Sequence, residues 1–178
     1  MIDPLLGFPA PKVTSAYLLP FPDPRGGFLA HIRVKVFPSI TTIDGTIKYL
    51  QPKRSGVRIY FPLVTLDTVL RSAEPLYVVE GERKSLSVAQ LGLPAIGICG
   101  IEGWHVAGAR DLHPDLDDVG LVNRLVNVVP DADVQTNPAV HHAVLRLGQA
   151  LRARGATARL VLVPREYKGI DDYLAASL

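Results

Sequence analysis

The chain predicts an α/β fold: a parallel sheet with helices on both faces, preceded by a small, mostly antiparallel β-rich unit. Two observations carry that prediction. From Leu76 onward, short apolar runs alternate with stretches of helical spacing, the pattern of βαβ units. Before Ser72–Pro75 the chain is instead rich in proline and glycine, with short β-branched or alternating runs. The change of character divides the chain into a β-rich unit over residues 1–74 and an α/β domain over residues 75–178.

In the first unit Tyr17–Leu19, Phe28–Phe37, Thr46–Leu50 and Val57–Tyr60 read as strands. Pro22, Pro24, Gly26 and Gly27 mark the turn between the first two, and Asp44-Gly45 marks a hairpin. A short helix over Leu66–Leu70 completes this part. In the second unit Leu76–Val79, Ala95–Ile98, Leu125–Val129 and Ala158–Val163 read as strands. Helical spacing covers Lys84–Leu91 and Leu116–Asn123, the latter begun by Asp115, Asp117 or Asp118. Asn137 is an N-cap with Pro138 at the first helical position, and Gly155 closes the helix that runs from Ala139 to about Arg154. A last helical turn covers Asp171–Ala176.

Hydrophobic residues make up 48% of the chain and charged residues 20%, which excludes a disordered protein. The apolar runs are too short to span a bilayer, so no membrane is expected. The single Cys99 cannot form an internal disulfide and no secretion signal is evident, which together predict a cytoplasmic setting. Net charge is +2, but it is unevenly spread. Up to Pro75 there are nine Lys/Arg and five Asp/Glu, a balance of +4; beyond it there are ten and twelve, a balance of −2. A basic front and an acidic back suit a nucleic-acid groove beside a carboxylate metal site, although ordinary scatter of solvated charge gives the same counts.

Ligands of an open parallel sheet bind beyond the carboxyl ends of its strands. Glu80-Gly81-Glu82 follows the first of these strands, Gly100-Ile101-Glu102-Gly103 the second and Asp131-Ala132-Asp133 the third. Lys168-Gly169-Ile170-Asp171-Asp172 comes shortly after the fourth. Carboxylates gathered on one rim suit Mg²⁺, a hard cation held by one or two carboxylates, waters and substrate phosphates. Glu80 and Asp131 are expected to face each other, with Asp133 on the same side if the backbone stays extended. Mutual repulsion should raise at least one carboxyl pKa in the absence of metal.

The run Leu76–Lys84 with Leu91–Ala95 resembles the first motif of toprim domains, an apolar strand ending in Glu-Gly and then a helix. Asp131-Ala132-Asp133 resembles the second toprim motif, and Lys168–Leu174 the tail of primase-type members. Lys48–Pro52 before Tyr60–Pro62 is similar to a subgroup found in replication proteins of phages, plasmids and mobile elements, often fused to helicase or primase modules. The resemblance implies a Mg²⁺ site, with Mn²⁺ as an alternative. Glu80 would act as general acid or base in phosphoryl transfer, with Asp131 and Asp133 as metal ligands and Asp171 assisting. It further implies a primase-like nucleotidyltransferase that acts on DNA or RNA and nucleotides. The alternatives are a toprim nuclease, or a non-catalytic nucleic-acid-binding module that partners a helicase or polymerase. Two departures stand out. Arg83 and Lys84 lie where many toprim proteins have an acidic residue, and Thr136 stands where many have glycine.

Arg83, Lys84 and Lys168 are read either as phosphate contacts or as solvated surface charge. Lys48, with Lys53, Arg54 and Arg58, is read either as a nucleic-acid contact or as part of an exposed basic face. Glu82 and Glu102 are read as first-turn or loop carboxylates rather than ligands. Trp104 reads as core. His141 and His142 are neighbours that do not share a helix face, a poor fit for one cation.

Overall fold

The computed structural model describes residues 2–43 and 45–177. They form two compact units, one up to Gly56 and one from Val57 onward.

The first unit holds a short helix, α1 (Asp3–Leu6), and three strands, β1 (Ser15–Pro22), β2 (Phe28–Thr42) and β3 (Gly45–Leu50). The strands are antiparallel in the order β1-β2-β3, with Tyr17 opposite Lys35 and Lys35 opposite Tyr49. Because side chains alternate along a strand, Val34 and Val36 turn inward and pack with Leu6, while Arg33, Lys35 and Phe37 lie on the other face. There Arg33 and Lys35 sit over the Tyr49 ring, 4.7 Å and 5.1 Å from its centre. The expected turn at residues 22–27 is present, with Asp23 N–H donating to Gly27 O and Gly26 N–H donating to Asp23 O. Asp44, the first residue of the expected hairpin turn, lies outside the described residues; Thr42 and Gly45 on either side of it are paired. Val57–Tyr60 is not a strand. Of these residues only Tyr60 makes a ladder contact, an isolated antiparallel bridge to Gly97 within the second unit.

The first α-helix of the second unit is α2 (Leu66–Arg71). Its sheet comprises β4 (Leu76–Glu80), β5 (Ala95–Ile98), β6 (Leu125–Val129) and β7 (Thr157–Leu160), all parallel, in the order β5-β4-β6-β7. Three helices follow strands: α3 (Glu82–Ala89), α4 (Pro138–Ala153) and α5 (Ile170–Ser177). Period-two alternation sends Val78, Ile96, Val126 and Val128 to one face, where Val144, Leu147 and Leu151 of α4 cover them. Val79, Ala95 and Val129 go to the other, under Val88 of α3 and Ile170 and Leu174 of α5. Burial on both faces explains why these strands read as unbroken apolar runs. Ile59, Phe61 and Val69, counted by composition with the β-rich unit, pack in this core.

The expected N-cap of α4 is realised, the Asn137 side chain accepting from Ala139 N–H, and Gly155 follows the helix with φ +85°. The expected helix over Leu116–Asn123 is not formed. Only a 3₁₀ turn over Pro114–Leu116 stands there, its start capped by the His113 ring accepting from Asp115 N–H. Asp115 is instead engaged by Arg58, which donates to both its carboxylate oxygens, and by Ile59 N–H. Leu116, Val119 and Leu121 bury themselves singly in the core without helical backbone.

Candidate metal centre

The chain runs from β4 through α3 to β5 on one side, then crosses β4 to reach β6 and β7 on the other. The winding therefore reverses between β4 and β6. In open parallel sheets the crevice at that reversal, beyond the strand ends, is where ligands bind. Glu80 is the last residue of β4, and Asp131 comes two residues after Val129, the end of β6. The register pairs Val79 with Val129, so the two acids leave neighbouring strands at the same level. Asp131 N–H donates to Glu80 Oε1 at 3.1 Å.

Gly81 makes this rim possible. Its φ of +97° and ψ of 162° lie in a region that residues with a β-carbon rarely enter, and the bend starts α3 directly after Glu80. The Gly81 N–H donates to Ile98 O at 2.8 Å, tying the bend to β5. The next turn of α3 carries Lys84, whose Nζ lies 2.6 Å from Asp131 Oδ1. The contact is an ion pair without hydrogen-bond alignment, so Asp131 Oδ1 is left sealed from solvent with no hydrogen-bond partner. Asp171 Oδ1, from the first turn of α5, is sealed and unpartnered in the same way. Both oxygens lie 3.1 Å from the point where a β-carbon on Gly169 would sit, and that carbon would also run into the Lys84 stem. Glycine at 169 is what lets Lys84, Asp131 and Asp171 share one spot.

Burial raises the Glu80 pKa above the ordinary glutamate value. The hydrogen bond from Asp131 N–H and the Lys84 charge oppose that shift, while the charges of Asp131 and Asp133 add to it. The expectation of one raised carboxyl is met at Glu80, with desolvation rather than repulsion as the larger cause. Nearby, burial also raises the Tyr60 pKa, and the charge of buried Glu82 adds to the shift.

The other expected site residues fall as follows. Asp133 is exposed, because the backbone after Asp131 turns into a 3₁₀ helix over Ala132–Gln135 instead of staying extended. Arg83 is exposed, with Nη2 3.9 Å from Asp171 Oδ2. Lys168 is exposed, and its carbonyl accepts from Ala132 N–H at 3.0 Å, joining the loop after β7 to the loop after β6. Lys48 lies on β3 of the first unit, exposed. Glu102 pairs with Arg146 and His105, away from any acidic partner. Trp104 is core, 3% exposed. A groove of about 380 Å³ opens beside Asp131 and Asp133 and is also lined by Arg165, Glu166, Tyr167 and Lys168. Arg165 and Tyr167 were not read from sequence as site residues, since the loop after β7 shows no motif at those positions.

Among the described residues no three acidic, histidine or cysteine side chains form a ready-made metal cage. The donor set nevertheless fits a hard cation of the Mg²⁺ kind. Two buried carboxylate oxygens, one of them paired with Lys84, border the same Gly169 position, and such an ion completes its shell with water and phosphate oxygens.

The parallel sheet in the order β5-β4-β6-β7 and the antiparallel sheet of the first unit give an α/β fold similar to that of solved primase catalytic domains. The structure superposes on the zinc-binding and RNA polymerase domains of the Aquifex aeolicus primase with a TM-score of 0.64, at 14% identity, over 94% of this chain and 40% of that one. The DnaG catalytic core gives 0.63 at 19% identity, covering 93% and 49%. The primase fragment of the bacteriophage T7 primase-helicase protein gives 0.56 at 16%, covering 94% and 60%. The chain thus spans between two fifths and three fifths of these structures. A family model matches residues 66–177, and the chain belongs to that family, described as a domain of unknown function, DUF3854. No curated protein matches. No helix among the described residues is long and apolar enough to cross a membrane.

Proposed function

We propose that this chain is a Mg²⁺-dependent phosphoryl-transfer domain of the primase kind, acting on nucleic acid in the replication of a mobile genetic element. The observation that carries the reading is the junction of Glu80 and Asp131 at the switch point, with Asp171 and the Lys84 ammonium beside them. Asp131 and Asp171 would hold the ion, with Glu80 adjacent and Asp133 reaching it through water. The ion would supply charge neutralisation at the transferring phosphoryl group. Glu80, whose pKa burial raises, takes the proton of the attacking hydroxyl at its carboxylate on this reading. Lys168 and Arg165 line the groove and Arg83 lies beside Asp171, and on this reading they meet phosphate oxygens. On the first unit, exposed Lys48 is a separate nucleic-acid contact on this reading. DNA or RNA and nucleotides are the ligands on this reading, and a helicase or polymerase is the partner.

The test is primer synthesis from nucleoside triphosphates on a single-stranded template with Mg²⁺ or Mn²⁺. Glu80→Gln and Asp131→Asn should each lower the rate by roughly 100-fold or more, the scale of losing a general acid–base group or a metal ligand. Activity unchanged in both variants rejects the mechanism. A second reading is a nucleic-acid-binding module without catalysis, favoured by the absence of a ready-made three-ligand cage among the described residues. Mg²⁺-dependent turnover by the isolated protein contradicts that reading. Cleavage of labelled DNA in place of synthesis would identify a nuclease.

A further inference from the structure

The position of Lys84 is unusual for a cation-binding rim. Its Nζ is 2.6 Å from Asp131 Oδ1, and the two side chains are 16% and 18% exposed. The stem passes over Gly169, at the spot where Asp171 Oδ1 also converges. Both Oδ1 atoms are closed off from solvent, and the Lys84 stem crowds the Gly169 position that both of them border. A Mg²⁺ ion sits about 2.0–2.1 Å from its oxygen ligands and brings ordered waters with it. The space between Asp131 and the Lys84 ammonium does not hold both. Lys84 is set on the first turns of α3, next to Glu80, and therefore moves only by a side-chain rotation.

We infer that Lys84 is a tethered competitor for the divalent cation: its ammonium occupies the cation position at Asp131, its stem crowds the spot bordered by Asp171, and loading the site requires its release. This inference rests on the reading of the rim as a divalent-cation site and adds a control on its occupancy. Apparent affinity falls in proportion to the fraction of molecules in which the binding-competent arrangement is open. A lysine seated on its acid in about nine molecules of ten weakens loading by roughly tenfold. The same ammonium keeps the acidic cluster neutralised before the ion arrives, which limits the repulsion among Glu80, Asp131 and Asp171.

The experiment is Mn²⁺ binding to the full chain, followed by calorimetry and by the electron paramagnetic resonance of free Mn²⁺, with no nucleic acid or nucleotide present. Lys84→Met keeps the length and apolar stem but removes the charge. It should tighten Mn²⁺ binding by roughly tenfold, and adding Asp131→Asn to it should abolish the gain. A purely structural lysine predicts otherwise: a lower melting temperature for Lys84→Met with Mn²⁺ affinity unchanged or weaker. Binding that depends on Asp131 but is no tighter in Lys84→Met overturns the competitor role and leaves the metal reading standing. Absence of Asp131-dependent binding in both parent and Lys84→Met overturns the metal reading, and the inference with it.

Discussion

Glu80 is held by opposing influences, and their balance has a measurable consequence. Burial pushes its pKa up, while Asp131 N–H and Lys84 pull it down. A carboxyl whose folded-state pKa is raised contributes stability below the unfolded value, about 4.3 for glutamate, and loses that contribution as pH rises through the raised value. Glutamine at this position has no charge to desolvate. In metal-free protein kept with a chelator, the melting temperature of Glu80→Gln relative to the parent should therefore rise between about pH 4 and pH 7. A pH-independent difference would mean that Glu80 is not desolvated. At this scale the sequence placed Glu80 and Asp131 just beyond neighbouring strand ends, and the structure joins them there by a hydrogen bond. It was silent where a polar side chain works inside the core. Arg124 is 2% exposed and donates to the carbonyls of Thr68, Val69, Glu74 and Gly120, fastening α2 to the start of β6. In the string Val122-Asn123-Arg124-Leu125 nothing separates it from a surface arginine. Lys84 was legible as a departure from the toprim pattern, but its pairing with Asp131 was not, because that contact joins an α3 side chain to a loop 47 residues on.

Among the elements, strands buried on both faces were the easiest to read. Ala95–Ile98 and Leu125–Val129 match their expected limits, and Leu76–Val79 is extended only by Glu80. Their apolar runs are bounded by glycine, proline or charge, so local sequence and tertiary burial agree. The Leu116–Asn123 segment failed because its leucines and valines have helical spacing while Gly120 and the Asp115 contacts to Arg58 and Ile59 favour irregular backbone. Val57–Tyr60 failed for a related reason: Ile59 is buried and Val57 half-buried, but the backbone is bridged at a single residue. The junction of β4 and α3 depends on Gly81. Gly81→Ala would force a β-carbon into a backbone region that costs about 1–3 kcal/mol. Chemical denaturation should register a loss of that size. A change below about 0.5 kcal/mol, the scatter of ordinary surface substitutions, would show that the bend relaxes without cost.

For the whole molecule, composition located a change of architecture near Ser72–Pro75, where the parallel sheet begins, whereas the compact unit begins earlier, at Val57. Residues 57–71 carry the proline-rich, β-branched look of the first unit, yet Ile59, Phe61 and Val69 bury themselves with the sheet. Composition reports local preference, and domain membership is decided by which core an apolar side chain joins. The fold that results places acids from three separate stretches of chain, at Glu80, Asp131 and Asp171, near one crevice, and the proposed function depends on those acids holding a cation. The most direct measurement is anomalous diffraction from a crystal soaked in Mn²⁺. The account predicts a peak within coordination distance of Asp131, beside Glu80 and Asp171, with Lys84 turned away. A well-soaked crystal with no peak at this rim, or with Mn²⁺ bound only at other acids, would contradict it.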